Sequence, residues 1–284
     1  MNLQKSNIDN IQLGVLGFPL SHTLSPVIHD YWLKKYDIKG LYEGVEVKPD
    51  DLKSFFNRDI HLYRGLNVTI PYKIDVFQFM DEIDQSARVI GAINCISINK
   101  EGRLLGKNTD ADGFISGLIE FIPDIDFEDV NIMIIGAGGA SRAIIHSLIL
   151  KSVRKITITN RSTDRLISIN KDFHKKLTTI AWGKKDKELS NADIIINCTS
   201  LGMLGNDNLE IDINLFKPNA IIVDLVYNPI ETDLIKRAKV RGHRVLNGLP
   251  MLLHQAALSW KIWFDIMPDI TNELVKIVEG KLEI

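Results

Sequence analysis

Apolar residues along the chain fall into short runs of two kinds. At 12–17, 41–47, 65–70, 92–98, 130–135, 155–159, 193–197, 220–225 and 244–246 they are β-branched or alternate over a few positions, which predicts strands. At 26–36, 49–56, 72–80, 111–121, 140–150, 232–241, 251–265 and 272–279 they recur at three- and four-residue spacing, which predicts helices. Strands alternating with helices imply an α/β fold with mainly parallel sheets. A chain of 284 residues has room for two such sheets. Two polar stretches, 106–110 and 247–250, are the expected crossings. The run 251–265, rich in Leu, Ala and Trp, must pack on something, and we expect the C-terminal helices to return to the first sheet. The expected domains are therefore 1–109 with 248–284, and 110–247, with a ligand cleft between them.

Composition excludes more than it suggests. With 45% hydrophobic and 25% charged residues the chain is of globular type. A net charge of −2 makes no electrostatic case for nucleic acid or an anionic membrane. No apolar run approaches the ~20 residues of a membrane span. The polar start, MNLQKSNIDN, lacks the apolar core of a secretory signal, and a cytoplasmic location is the expectation. Cys95 and Cys198 each sit in an apolar run far from the other, which predicts buried free thiols. His22, His29 and His254 share no ligand spacing, so no metal is expected.

The run 130–135 leads directly into Gly136-Ala137-Gly138-Gly139-Ala140-Ser141-Arg142 and an apolar helix, the setting of a dinucleotide fingerprint. Gly136 permits the tight turn, Gly138 the approach of a pyrophosphate, and the helix start supplies N–H groups and positive potential. Ser141 stands where Gly or Ala is usual. About 20 residues on, where an NAD protein carries an acid, this chain has Asn160-Arg161-Ser162-Thr163, with Arg165 behind. Arginines there suit the 2′-phosphate of NADP, although Asp164 dissents. Thr199, Ser200 and Met203 follow one predicted strand, and Leu225 and Tyr227 another, at the ends where open α/β sheets bind ligands. Met203 and Tyr227 either pack around a nicotinamide or simply close their loops.

In the first half, Ser21-His22-Thr23-Leu24-Ser25-Pro26 gathers three hydroxyls and an imidazole before a helix, with Ser25 as the expected N-cap. If 67–70 is a strand, Asn67 and Thr69 share one face with Lys73, while Val68, Ile70 and Tyr72 share the other. Pro71 is then expected to open a helix, putting Lys73 in its first turn, where the macrodipole disfavours a cation. Asn94, Asp110 and Gln255 add two amides and a carboxylate. Each has a dull reading: a polar strand end, a helix cap, a solvated amide. Together they make a donor and acceptor set for a hydroxylated acid.

These motifs, in order, resemble the shikimate dehydrogenase family of NADP enzymes. The likeness runs through Ser25-Pro26, residues 67–73, Gly91-Ala92-Ile93-Asn94, Asn108-Thr109-Asp110 with Gly113, Gly136 to Ala140, Asn160-Arg161, residues 197–203, and Gly248-Leu249-Pro250-Met251-Leu252 with Gln255. The resemblance implies reversible reduction of 3-dehydroshikimate to shikimate with NADPH, in the route to chorismate and aromatic amino acids. It implies Lys73 and Asp110 as the catalytic pair and Thr23, Ser25, Asn67, Thr69, Asn94, Tyr227 and Gln255 as further substrate contacts. The implied cofactor contacts are Gly136, Ala137, Gly138, Gly139, Ala140, Asn160, Arg161, Ser162, Arg165, Thr199, Ser200, Met203, Leu225, Gly248 and Met251. Thr23 departs from the usual serine, and its extra methyl keeps quinate open as a substrate. A relaxed quinate/shikimate enzyme, or a non-catalytic NADP-binding sensor on the same scaffold, are the other readings. The partner is a small molecule, and the chain is expected as a monomer or homodimer.

Overall fold

The most apolar runs form the centres of two sheets. The computed structural model describes residues 11–20, 23–173 and 176–282. Contacts divide them into two units: the residues up to Thr109 with Ala256–Val278, and Asp110–Gln255 with the residues from Glu279 on.

The first unit contains β1 (Ile11–Gly17), α1 (Ser25–Lys35), β2 (Gly40–Glu46), α2 (Leu52–Arg58), β3 (Gly65–Val68), β4 (Glu82–Ile83), α3 (Gln85–Ile90), β5 (Cys95–Ile98) and β6 (Leu104–Lys107). Its sheet has the order β2-β1-β3-β5-β6-β4. β1 is parallel to both neighbours, with Val15 opposite Asn67, whereas β5 is antiparallel to β3 and to β6. One face buries Leu16, Leu66, Ile96, Phe55 and Phe56. C-terminal residues of the same unit pack on the sheet at Gly65. A Cβ on Gly65 would lie 2.1 Å from the Trp263 Nε1, so only glycine admits the indole. That Nε1 donates to the Ile96 carbonyl at 3.0 Å.

The second unit runs through α4 (Asp110–Phe121), β7 (Asn131–Ile135), α5 (Gly139–Leu150), β8 (Lys155–Asn160), α6 (Thr163–Phe173), β9 (Thr178–Ala181), α7 (Asp186–Leu189), β10 (Ile194–Asn197), β11 (Ile221–Asp224), α8 (Asp233–Val240) and β12 (Val245–Leu246). The remaining helices are α9 (Leu249–Phe264), inside which the division between units falls, and α10 (Asn272–Glu279). The sheet of the second unit, β12-β11-β10-β7-β8-β9, is parallel throughout. Separate apolar clusters cover its two faces, one around Ile134, Ile145 and Ile158, the other around Ile135, Ile195 and Leu234. Burial on both faces explains why these strands read as unbroken apolar runs.

The structure corrects three local expectations. No α-helix spans 72–80: residues 71–74 are turns, followed by a 3-10 helix at Asp75–Phe79. Tyr72 and Val76 do enter the core, and the Tyr72 hydroxyl donates to the Val47 carbonyl. Their four-residue spacing comes from a turn wedged into the sheet. β3 ends at Val68, and Ile70 is 55% exposed instead of sharing an inner face with Val68. Ser25 is the first residue of α1, and its N-cap Leu24 has no side-chain bond, so the Ser25 hydroxyl is not a cap.

Candidate active site

The glycine turn lies where β7 meets α5. Gly136 has φ +111°, and a Cβ there would come within 3.0 Å of the Cys198 carbonyl carbon. Both facts require glycine. A Cβ on Gly138 would meet nothing within 4 Å, so the space beside it is open to a ligand. Ser141, fully buried, accepts the Gly138 N–H at 3.2 Å, and Asn160 Oδ1 accepts the Ala137 N–H at 3.2 Å. These bonds brace the turn while the N–H groups of the first turn of α5, from Gly139 and Ala140 on, point along the helix axis toward an anion. Asn160 occupies the end of β8, and its amide nitrogen donates to the Ser162 carbonyl at 3.0 Å. Arg161, Ser162, Asp164 and Arg165 are exposed, and Arg161 lines a shallow open groove with Thr163, Ile167 and Trp182. Open space at Gly138, helix N–H groups and exposed cationic side chains are the features that dinucleotide phosphates require.

The loops after β10 and β11 are tied together by a buried carboxylate. Asp224 accepts from Asn197 Nδ2 at 2.9 Å, from the Val226 N–H at 3.1 Å and from the Thr232 hydroxyl at 2.6 Å. Asn197 Oδ1 in turn accepts the N–H and hydroxyl of Thr199, at 3.0 and 2.7 Å. Burial pushes the Asp224 carboxyl up to about 6 despite these donors. On the loops so held, Ser200 is exposed and Thr199, Met203, Leu225 and Tyr227 are half-buried. Gly248 passes so close to this scaffold that a Cβ would lie 2.0 Å from the Leu225 carbonyl oxygen. Met251 is half-buried in the next turn.

Asp110 is buried as the first residue of α4. One turn on, a Cβ at Gly113 would lie 2.8 Å from the Gln255 Cβ, so α4 and the start of α9 cross closely there. Gln255 is buried, not a solvated amide, and its Nε2 donates to the Leu252 carbonyl at 2.8 Å.

In the first unit, Thr23 is half-buried and Ser25 buried, with the Ser25 N–H donating to Thr23 Oγ1 at 3.4 Å. Ser21 and His22 lie outside the described residues. Asn67 is 5% exposed: its Oδ1 accepts the Tyr42 hydroxyl at 2.8 Å, and its Nδ2 donates to Ser259 Oγ at 2.8 Å and to the Asn94 carbonyl at 3.2 Å. Asn94 Oδ1 accepts the Thr109 N–H at 2.7 Å, and its Nδ2 donates to Thr109 Oγ1 at 2.9 Å. Thr69 and Lys73 are half-buried, and the Lys73 carbonyl accepts the Ile93 N–H at 2.7 Å. With no helix starting at Pro71, the macrodipole argument for Lys73 falls. Asn67, Thr69, Lys73 and Asn94 are thus carried by β3, the turns beyond it and the lead into β5.

Residues passed over in the sequence also matter. Tyr42 and Ser259 bind Asn67, and Asp224 with Thr232 holds the loops after β10 and β11. Ser259 follows Gln255 by four residues, one helical turn, which was the available signal. Trp182, directly after edge strand β9, carried none. Cys95 is buried, Cys198 only half-buried, and both are free thiols. Among the described residues no cluster of His, Cys, Asp or Glu is arranged to hold a metal. No described helix is long and apolar enough to cross a membrane.

The parallel order β9-β8-β7-β10-β11-β12, with a glycine turn after its first strand, is the doubly wound dinucleotide arrangement. The class so defined is a two-unit α/β protein with a Rossmann-type half. Comparison with known proteins narrows it. Residues 15–96 match the shikimate dehydrogenase substrate binding domain, 120–243 the shikimate / quinate 5-dehydrogenase model, and 248–272 the shikimate 5′-dehydrogenase C-terminal domain. The NADP(+) shikimate dehydrogenase of Methylocella silvestris is 40% identical over 270 residues, 95% of this chain and 96% of that protein. The crystal structure of the Thermus thermophilus enzyme in complex with NADP(H) and shikimate superposes with a TM-score of 0.85 at 29% identity, covering 96% of this chain and 100% of the other. The quinate dehydrogenase of Corynebacterium glutamicum in complex with NAD gives 0.84 at 27%, over 95% and 98%. The chain belongs to the shikimate dehydrogenase family.

Proposed function

We propose that this chain is an NADP-dependent shikimate dehydrogenase, interconverting 3-dehydroshikimate and shikimate. The single observation that carries the cofactor choice is Arg161 at the end of β8, with Arg165 beside it and Asn160, no acid, in the ribose-facing position. An acid there would repel a 2′-phosphate, whereas guanidinium groups bind one bidentately. The family relationship supports the same choice, since the curated relatives are NADP(+) enzymes.

The roles follow from chemistry. The first turn of α5 and the glycines 136, 138 and 139 hold the pyrophosphate, with Ala137 and Ala140 alongside. Asn160, Arg161, Ser162 and Arg165 hold the adenosine end, while Thr199, Ser200, Met203, Leu225, Gly248 and Met251 surround the nicotinamide. The cofactor, when bound, supplies the hydride. Thr23 and Ser25 bind the substrate carboxylate; Asn67, Thr69, Asn94, Tyr227 and Gln255 orient its ring. Lys73 gives a proton to the new alkoxide on reduction and takes it back on oxidation, and Asp110 orients the lysine and a substrate hydroxyl. The domains proposed for these roles are a substrate-binding domain, 1–109 with 248–284, and a cofactor domain, 110–247. A small-molecule enzyme of this kind works in the cytoplasm as a monomer or homodimer.

The deciding experiment measures kcat/KM for shikimate and quinate with NADP and with NAD. Shikimate with NADP should lead by at least tenfold. Leadership by quinate with NAD would overturn the proposal, and absence of turnover with every pair would favour a sensor.

A further inference from the structure

The orientation of an asparagine amide is set by what binds its two ends. Asn67 is tied at both. Tyr42, 2% exposed, donates its hydroxyl to Oδ1, and burial drives that hydroxyl well above the usual tyrosine range, so it stays a donor at every working pH. The Tyr42 ring is itself fixed by stacking on the His29 ring, 4.2 Å between centroids at 11°. On the other end both amide hydrogens are used, one on the Asn94 carbonyl and one on Ser259 Oγ. Ser259 is fully buried, and its Oγ lies 3.2 Å from Thr109 Oγ1, which is bonded to the side chain of Asn94. A buried chain of side chains therefore runs Tyr42–Asn67–Ser259–Thr109–Asn94 and joins the two amides assigned to the substrate ring.

We propose that Ser259 and Tyr42 are positioning residues for substrate recognition: they hold Asn67 with its N–H groups turned inward, so that it offers the substrate an oxygen lone pair and selects a hydroxyl that donates. An amide has two acceptor sites on oxygen and two hydrogens on nitrogen. Three of the four are taken in ordinary geometry, and the acceptor that remains has only a looser contact with the buried His29 ring. This inference rests on the assignment of Asn67 to the substrate hydroxyls. It adds that the bond's direction is dictated by residues that never touch substrate.

The test compares Ser259→Ala, Ser259→Thr and Tyr42→Phe with the unmodified enzyme. Losing one hydrogen bond of ordinary strength corresponds to roughly a fivefold change in an equilibrium. Ser259→Ala and Tyr42→Phe should each raise KM for shikimate about fivefold, with kcat and KM for NADP within twofold. Ser259→Thr, which keeps the hydroxyl, should restore KM. With a series of shikimate analogues each lacking one ring hydroxyl, the Ser259→Ala penalty should vanish for one analogue and persist for the others. A merely structural role would lower thermal stability and spread the loss over both substrates and all analogues, and that pattern overturns the inference, as does an unchanged KM. If the unmodified protein fails to oxidise shikimate at all, the assignment beneath it falls too. Normal turnover with insensitive variants would sink the positioning role alone.

Discussion

Lys73 carries the proton in the function proposed above, and its setting differs from what its neighbours imply in sequence. It stands in a turn tied to the segment leading into β5 through the Ile93 N–H, not in the first turn of a helix. A positioned acid–base group contributes roughly 10²–10⁴ in rate. Lys73→Ala should therefore lower kcat by about that factor and leave the dissociation constant of shikimate within a few-fold; near-normal kcat would remove Lys73 from the proton path. Arg161→Ala should raise KM for NADP by tenfold or more and leave KM for NAD nearly untouched, because only the former carries the 2′-phosphate. Equal losses with both would count against that contact. At this scale the sequence was informative where a residue had an unusual place, as with Asn160, no acid, at the end of β8 and Arg161 directly after it. It was silent where a role depends on a partner far along the chain. Nothing near Tyr42 announces that its hydroxyl binds Asn67, 25 residues on.

Among the elements, the strands of the second unit were legible because they are buried on both faces and bounded by glycine or polar turns. β4 and β9 were not, being short or half-polar edge strands, and β6 reads Leu-Leu-Gly-Lys, too brief and mixed to stand out. The expected helix at 72–80 shows the limit of periodicity. Val76 N–H does bond back to Tyr72, one α-like turn, but Phe77 bonds to Ile74 and Met80 to Phe77, so the segment tightens into 3-10 geometry. Loops are held by contacts that sequence spacing does not reveal. Gly248, against the Leu225 carbonyl, is the clearest case. Gly248→Ala forces the backbone to move by more than an ångström beside the loop after β11. We expect a loss of roughly 2–4 kcal/mol in urea unfolding, together with weaker NADP binding. Wild-type stability in that variant would show that the loop yields freely.

For the whole molecule, acid should act through His29. The ring is fully buried, and neither nitrogen makes a hydrogen bond of ordinary geometry among the described residues, leaving only a looser contact with Asn67. Burial lowers its pKa from 6.5 to about 3, with Asn67 pulling weakly the other way. Below 6.5 the unfolded chain takes up a proton that the folded one refuses. The folded state is thus fully favoured above 6.5 and loses ground steadily as pH falls toward 3. Between pH 7.5 and 4.5 this one group costs roughly 3 kcal/mol. His29→Phe keeps the stacking and should flatten that part of the curve, as read from urea midpoints at several pH values; an unchanged slope would mean the imidazole is charged in the fold. Asp224 works in the opposite sense. Its raised pKa favours the folded state below about 4 and withdraws that advantage as pH climbs through about 6.

The lid over Gly65 has a consequence for biosynthesis. Arg64 grips the Trp263 carbonyl through two bonds, at 2.9 and 2.6 Å, across 199 residues of intervening chain. A polypeptide emerging N-terminus first offers the groove on β3 long before the tryptophan that fills it has been translated. The sheet made early therefore waits on residue 263. Until that codon is read, the surface at Gly65 stands uncovered on a nascent sheet, and chaperones that shield apolar surface would find their target there.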